Sequence, residues 1–215
     1  MKPIQLYSLN TPNGQKVGIA LEEMGLLYEP HTVNIFEGDQ FKEEFVRISP
    51  NAKIPVILDP NGPEGDHIVF ESGAILLYLA EKSGRFLSKY PILRSQTLQW
   101  LFFQMSGVGP MFGQFGHFFK YAVDKCDHPY PLKRYTNEVR RLLLVIEKRL
   151  EGRNYFVGEE YSIADMAIFP WILCLEEHYK AAEYLGLKEF INLSRWKDNL
   201  LSREKTRIGL EVCSL

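Results

Sequence analysis

Residues 51–78 read NAKIPVILDPNGPEGDHIVFESGAILLY, and the punctuation of this stretch decides the fold. An Ile54-Pro55 bond leads into two short apolar runs, Val56-Ile57-Leu58 and Ile68-Val69-Phe70, parted by a turn rich in Pro, Gly and Asp. β-Branched and aromatic residues on both sides of such a turn predict a hairpin. The residue before a proline is pushed to extended backbone, so Ile54 lies along an edge; a cis bond would turn its N–H and C=O outward toward a peptide, and trans is the commoner form. Ser72 opens an apolar-periodic run and reads as an N-cap, where free N–H groups and the positive end of the helix dipole suit a carboxylate. A docking edge beside an anion site fits a small acidic peptide. The competing reading is an ordinary hairpin followed by an ordinary capped helix.

Working back toward the start, residues 4–7 form a short apolar strand, and residues 8–14, SLNTPNG, have loop chemistry throughout. Val17, Ala20, Leu21 and Met24 then recur at helical spacing, with Gly25 where a terminating glycine belongs and Asn13 as the expected N-cap. Residues 28–34 read as a second strand, parallel to the first through the helical crossover. A turn at 37–40, one short helix at 41–48, the hairpin and a helix at 72–83 complete the order β-α-β-α-β-β-α. The expected fold is therefore an α/β domain over residues 1–83 with a mixed four-stranded sheet.

Working forward, residues 84–93 lack periodicity and read as a linker, and residues 94–215 read as an all-α helical domain. A helix at 94–105 meets Gly107-Val108-Gly109-Pro110, which should bend or interrupt it. Phe112, Phe115 and Phe119 share one helical face and read as core, while His117 and Phe118 point elsewhere, toward a possible substrate cleft. Residues 132–150 form a long amphipathic helix. At Tyr161-Ser162-Ile163-Ala164-Asp165-Met166, Ser162 caps, Asp165 sits at N3 and Tyr161 can staple onto Met166. Pro170 should kink that helix, and a final helix covers 190–201. The tail at 202–215 carries no clear pattern.

Hydrophobic residues make up 46% of the 215, and charged residues 24%, which places the chain among ordinary soluble globular proteins. A net charge of −2 gives no general attraction for nucleic acid or an anionic membrane, and neither partner is expected. No run of about 18 apolar residues occurs, so neither secretion nor membrane insertion is expected. Cys126, Cys174 and Cys213 are far apart and form no C-x-x-C pair, which predicts free thiols in a reducing, cytoplasmic setting and no metal site.

Three separated motifs, Ile54-Pro55, Glu71-Ser72-Gly73-Ala74-Ile75 and Ser162-Ile163-Ala164-Asp165, occur in the order found in cytosolic glutathione transferases. The chain resembles that superfamily over essentially its whole length. The resemblance implies a thioredoxin-like amino-terminal domain followed by a helical second-substrate domain. Thr11-Pro12-Asn13-Gly14, Gly38-Asp39-Gln40-Phe41, Ile48-Ser49-Pro50-Asn51-Ala52-Lys53 and Gly107-Val108-Gly109-Pro110-Met111 narrow the likeness. These resemble the nu class of bacterial enzymes and the glutathione-binding region of a fungal nitrogen regulator. Nu-class members imply a glutathione-dependent disulfide-bond oxidoreductase that uses bound glutathione and no protein cysteine, with modest transferase or peroxidase activity in addition. The alternative is a non-catalytic glutathione-binding regulatory or interaction module on the same fold.

By that resemblance Thr11 and Asn13 bond the glutathione sulfur and are the catalytic candidates. Ile54 pairs with the cysteinyl backbone, Glu71 meets the γ-glutamyl amine, Ser72 its carboxylate, and Gln40 and Lys53 the glycyl end. Arg134 approaches the same pocket. Glutathione is the expected co-substrate, a small thiol, disulfide or electrophile the second substrate, and a homodimer the expected assembly. Some classes use an early tyrosine, but Tyr7 ends a strand whose alternation could bury it.

The physics sets a requirement. A free cysteine-type thiol has a pKa of about 8.5, and bringing it to about 6.5 takes about 2.7 kcal/mol of preferential stabilisation of the thiolate. An exposed helix terminus supplies roughly 0.3–1 kcal/mol and a hydrogen bond to a charged acceptor about 1.5–3. A dipole alone is too weak, so a donor from Thr11 or Asn13 is needed. As a bare tetrapeptide Thr-Pro-Asn-Gly only makes a turn; its place between first strand and first helix is what gives it chemical interest.

Overall fold

The structure, a computed structural model, describes residues 2–215. The chain folds as two units: everything up to Leu87 joined by Ser202–Leu215, and Ser88–Leu201 between them.

The first unit holds β1 (Ile4–Ser8), α1 (Pro12–Met24), β2 (Tyr28–Thr32), α2 (Glu43–Ile48), β3 (Val56–Gly62), β4 (Gly65–Phe70) and α3 (Ser72–Ser83). Its sheet runs β2-β1-β3-β4, with β1 parallel to β2 and antiparallel to β3, and with β3 and β4 as the hairpin. This is the expected mixed four-stranded sheet. Pro30 lies in β2 at the sheet's edge, where a missing N–H breaks no ladder. Ile4, Leu6 and Ser8 turn inward along β1, and they share the core with Val17, Leu21, Ile57, Ile75 and Leu79.

Several local readings are corrected. Thr11, not Asn13, caps α1: it is extended, at φ −117° and ψ 165°, and its Oγ1 accepts the Gly14 N–H at 3.4 Å. Pro12 explains the shift, since proline favours the first helical position and pushes its predecessor to extended backbone. Ser72 is the first residue of α3 rather than its cap, and Glu71 occupies the cap position at φ 71°. The single helix expected at 41–48 divides at Lys42 into a 3-10 turn, Asp39–Phe41, and α2.

The second unit runs α4 (Pro91–Phe103), α5 (Gly109–Gly116), α6 (Pro129–Leu150), α7 (Ile163–Leu173), α8 (Ala182–Leu185) and α9 (Ile191–Leu201). Helix α4 starts at Pro91, within the stretch read as linker, because proline is a natural opener. The glycines and proline at 107–110 do not end the helical path. A π turn at Gln104–Val108 takes the irregularity, and Pro110 falls in the first turn of α5, where its missing N–H is tolerated. Phe112 and Phe115 are fully buried, while Phe119 is half-buried and stacks on Phe115 at 4.9 Å. Every residue of α7 is buried.

Asp165 organises this unit. Its carboxylate accepts from the backbone N–H groups of Phe156 and Ser162, each at 3.0 Å, from Ser162 Oγ at 2.9 Å and from Trp196 Nε1 at 2.9 Å. Burial pushes this carboxyl up to about 6, and the four donors oppose that rise. The predicted capping box is present.

The patternless tail forms α10 (Glu204–Leu210) and packs on α1. It therefore belongs to the first unit and not to the helical domain expected over 94–215. Gly18 and Gly209 let the two helices touch backbone to backbone; a Cβ on either would collide with the other helix. Glu23, 6% exposed, accepts from Arg203 at 2.8 and 2.6 Å and from Thr206 Oγ1 at 2.8 Å.

Candidate active site

The first loop is held closely. Gly14 brings the chain back over Leu9, and a Cβ there would strike the Leu9 carbonyl and Ser8 Oγ. Thr11 donates its N–H to the Leu9 carbonyl at 2.7 Å and accepts the Gln15 N–H at 2.8 Å. Thr11 and Asn13 thus stand at the N-terminal end of α1, where the dipole favours negative charge.

Lys16, one turn on, escaped the sequence reading. It is 1% exposed, and its Nζ donates to Asn13 Oδ1 at 2.8 Å and to Ser72 Oγ at 3.2 Å. Burial brings the amine down to about 7, against the opposing pull of Glu71. One buried cation thereby joins the first loop to the start of α3. A signal existed: Lys16, Ile19, Ala20 and Glu23 form a second helical stripe beside Val17, Leu21 and Met24, and a lysine on it can only be buried with partners.

Ser72 is 3% exposed, and Glu71 beside it is exposed in left-handed backbone. The Ile54-Pro55 bond is cis, and Ile54 packs on Val33, Phe45 and Val56. Lys53 is exposed, and its backbone is fixed by Ser49, whose Oγ donates to the Lys53 carbonyl at 2.8 Å. Gln40 donates through Nε2 to the Ile35 carbonyl at 3.3 Å, while its buried Oε1 has no partner among the described residues. That orphaned acceptor is available to a ligand N–H. Asn13, Ser72 and Glu71 are brought together around Lys16. Arg134 lies in the second unit on α6, in a cleft of about 560 Å³ with Lys133, Tyr135 and Arg141.

Tyr7 stacks on His31 with ring centroids 4.7 Å apart, in a cleft of the first unit of about 430 Å³ lined also by Phe45 and Ile48. His117 is exposed and meets Phe118 edge-on, and Phe118 in turn stacks on Tyr135 at 5.6 Å. No cysteine lies in the first loop. Burial pushes both the Cys174 and Cys213 thiols up to about 11, so neither is a thiolate near neutrality. Among the described residues no group of His, Cys, Asp and Glu could hold a metal ion, and no helix is long and apolar enough to cross a membrane.

Residues 11–82 match the family description "Glutathione S-transferase, N-terminal domain", and residues 114–204 match "Glutathione S-transferase, C-terminal domain". Disulfide-bond oxidoreductase YfcG of Escherichia coli (strain K12) is 44% identical over 205 residues, covering 94% of this chain and 92% of that protein. A glutathione transferase crystal structure from Pseudomonas putida, with one glutathione disulfide bound per subunit, superposes with a TM-score of 0.95 at 52% identity, covering 97% of this chain and 91% of that one. One from Burkholderia graminis, with two glutathione molecules bound per subunit, gives a TM-score of 0.95 at 48% identity, covering 97% and 88%.

Proposed function

Since the chain belongs to the glutathione S-transferase family, we propose that it is an enzyme reducing small disulfides with glutathione, whose own thiolate is the nucleophile. The observation that carries this reading is the N-terminal end of α1, where Thr11 and Asn13 stand with the buried Lys16 amine, with no cysteine in the loop before it. A site that presents donors and no sulfur of its own must receive its sulfur from the substrate.

In this reading the glutathione sulfur lies at Thr11 and Asn13, and Ser72 takes the γ-glutamyl carboxylate at the start of α3. Glu71 takes the neighbouring amine, and the Ile54 backbone pairs with the cysteinyl residue. Gln40 and Lys53 serve the glycyl end. Helix termini and hydrogen bonds favour the thiolate over the thiol, which fits an acidic peptide and an anionic sulfur.

The thiolate attacks one sulfur of the disulfide, its S–S bond breaks, and the departing thiolate takes a proton from water. A second glutathione thiolate attacks the mixed disulfide, forming glutathione disulfide and releasing the second thiol. In sum, one disulfide and two glutathiones give two thiols and one glutathione disulfide. A two-fold dimer, the common closed assembly of soluble homo-oligomers, belongs to this proposal and is checked by sedimentation.

The deciding experiment replaces Cys126, Cys174 and Cys213 together by alanine and measures reduction of a small symmetrical aliphatic disulfide by glutathione. The expected kcat/KM is within about twofold of the unaltered protein, since no step uses these thiols. A folded but inactive triple variant would refute the mechanism.

A further inference from the structure

A lysine taken out of water needs acceptors for its ammonium protons. For Lys16 two of them are Asn13 Oδ1 and Ser72 Oγ, at 2.8 and 3.2 Å. Both belong to residues assigned above to glutathione, one at its sulfur and one at its carboxylate. We propose that Lys16 is the positioning residue of the thiol site: by holding the Oδ1 of Asn13 it sets which end of that amide faces the bound sulfur. This rests on the reading that the sulfur meets the first loop.

The chemistry is one-sided. An ammonium offers three donors and no acceptor, whereas a carboxamide has an acceptor at one end and two donors at the other. Turning the Asn13 amide over would set its N–H bonds against those of Lys16 and lose a charge-assisted hydrogen bond. The Nδ2 group is therefore kept on the side away from the lysine. Only that orientation gives a thiolate a donor; the reverse gives it oxygen lone pairs, which repel it. An apolar side chain at position 16 would remove the preference. The same ammonium donates to Ser72 Oγ, so the hydroxyl proton of Ser72 must point to a different acceptor.

Charge and burial pull against each other at this amine. Glu71 favours the ammonium and burial disfavours it. A bound carboxylate and thiolate add negative charge beside it, so the ligand strengthens the cation that orients its own donor.

The test is a double-mutant cycle of the unaltered protein, Asn13→Ala, Lys16→Met and the double variant. Glutathione-dependent disulfide reduction is measured, and the pKa of the bound thiol is read from thiolate absorbance. Each single change should lower kcat by about tenfold or more and raise the thiol pKa, and the double variant should fall within about threefold of Asn13→Ala. With the amide gone, the lysine has no sulfur-facing donor left to orient, and its remaining bond to Ser72 bears on glutathione binding, which is read in KM and not in kcat. Lys16→Gln, which keeps a donor without the charge, should recover part of the loss. Losses that multiply, or a Lys16→Met variant with unaltered kcat and thiol pKa, overturn the proposal. If neither lysine variant folds by circular dichroism, nitrogen-15 spectra of the unaltered protein decide. The Asn13 side-chain amide should shift on adding glutathione far more than on adding S-methylglutathione, and equal shifts overturn the proposal. An inactive unaltered protein sinks the disulfide-reductase reading and the lysine's role with it, an outcome distinct from multiplying losses in an active one.

Discussion

The backbone N–H of Asn10 donates to the carbonyl of Cys213 at 3.1 Å. Asn10 Nδ2 also donates to Ser214 Oγ at 2.8 Å, and its Oδ1 accepts from Gln15 Nε2 at 2.7 Å. The residue preceding Thr11 is thus fixed from both sides, once by α1 and once by the segment after α10. A chain stopped after Leu210 loses two of these bonds, worth about 1 kcal/mol each, so the KM for glutathione should rise by about fivefold or more. Steady-state kinetics of the shortened chain with an unchanged KM would show that the loop holds itself.

Thr11 both caps α1 and, in the proposed mechanism, meets the sulfur. Thr11→Ala should cost about 1 kcal/mol of stability as a lost cap, yet lower disulfide reduction by more than about tenfold. Urea unfolding and steady-state rates measured on the same preparation separate the two effects. A fall in rate no larger than the stability change explains would remove Thr11 from the chemistry.

Glu23 is a carboxylate nearly out of water. Burial pushes its pKa up, but the bonds from Arg203 and Thr206 outweigh burial and leave it below the ordinary value of 4.5. A lowered folded-state pKa adds stability that is present above 4.5 and is lost as pH falls through the folded value. Arg203→Ala leaves this charge without its ion-pair partner and should destabilise the first unit by about 3–5 kcal/mol. In that variant the acid sensitivity should reverse, protonation of Glu23 now bringing relief; thermal melts between neutral pH and pH about 4.5 provide the check.

Lys16 gives the opposite pH dependence. Its folded pKa of about 7 lies below the ordinary 10.5, so between those values the unfolded chain binds more protons and stability rises with pH. The cost of burying the amine is fully present below about 7 and gone above 10.5. Lys16→Met has no such cost. Its melting temperature relative to the unaltered protein should be most favourable near pH 6 and should decline steadily toward pH about 10. A difference independent of pH would mean that the amine titrates at its ordinary value.

Much of the fold could be read because its signals are local. Turn residues frame the β3–β4 hairpin, four apolar residues mark the face of α1, and Ser162 with Asp165 marks the head of α7. Local signals also misplaced ends: Asn13 and Ser72 are good capping residues, but Pro12 moved one cap back to Thr11, and the Ser72 hydroxyl is engaged by Lys16. What could not be read was held by distant partners. Nothing near Lys16 in the chain announces Ser72, and nothing in residues 202–215 announces Glu23 or Asn10. The helical stripe that carries Lys16 and Glu23 hints at their burial, but Ser72, Arg203 and Thr206, which receive them, lie far along the chain.

Because Ser202–Leu215 completes the unit that the first residues begin, the helical unit is an insertion within it. On a ribosome the first strand and helix emerge before the second unit, but the groove that receives α10, including the Glu23 carboxylate, must wait until all of Ser88–Leu201 has been made. The thiol site therefore matures only after the second unit, although its loop is translated before that unit, and nascent chains arrested in the second unit should carry that groove open to chaperones.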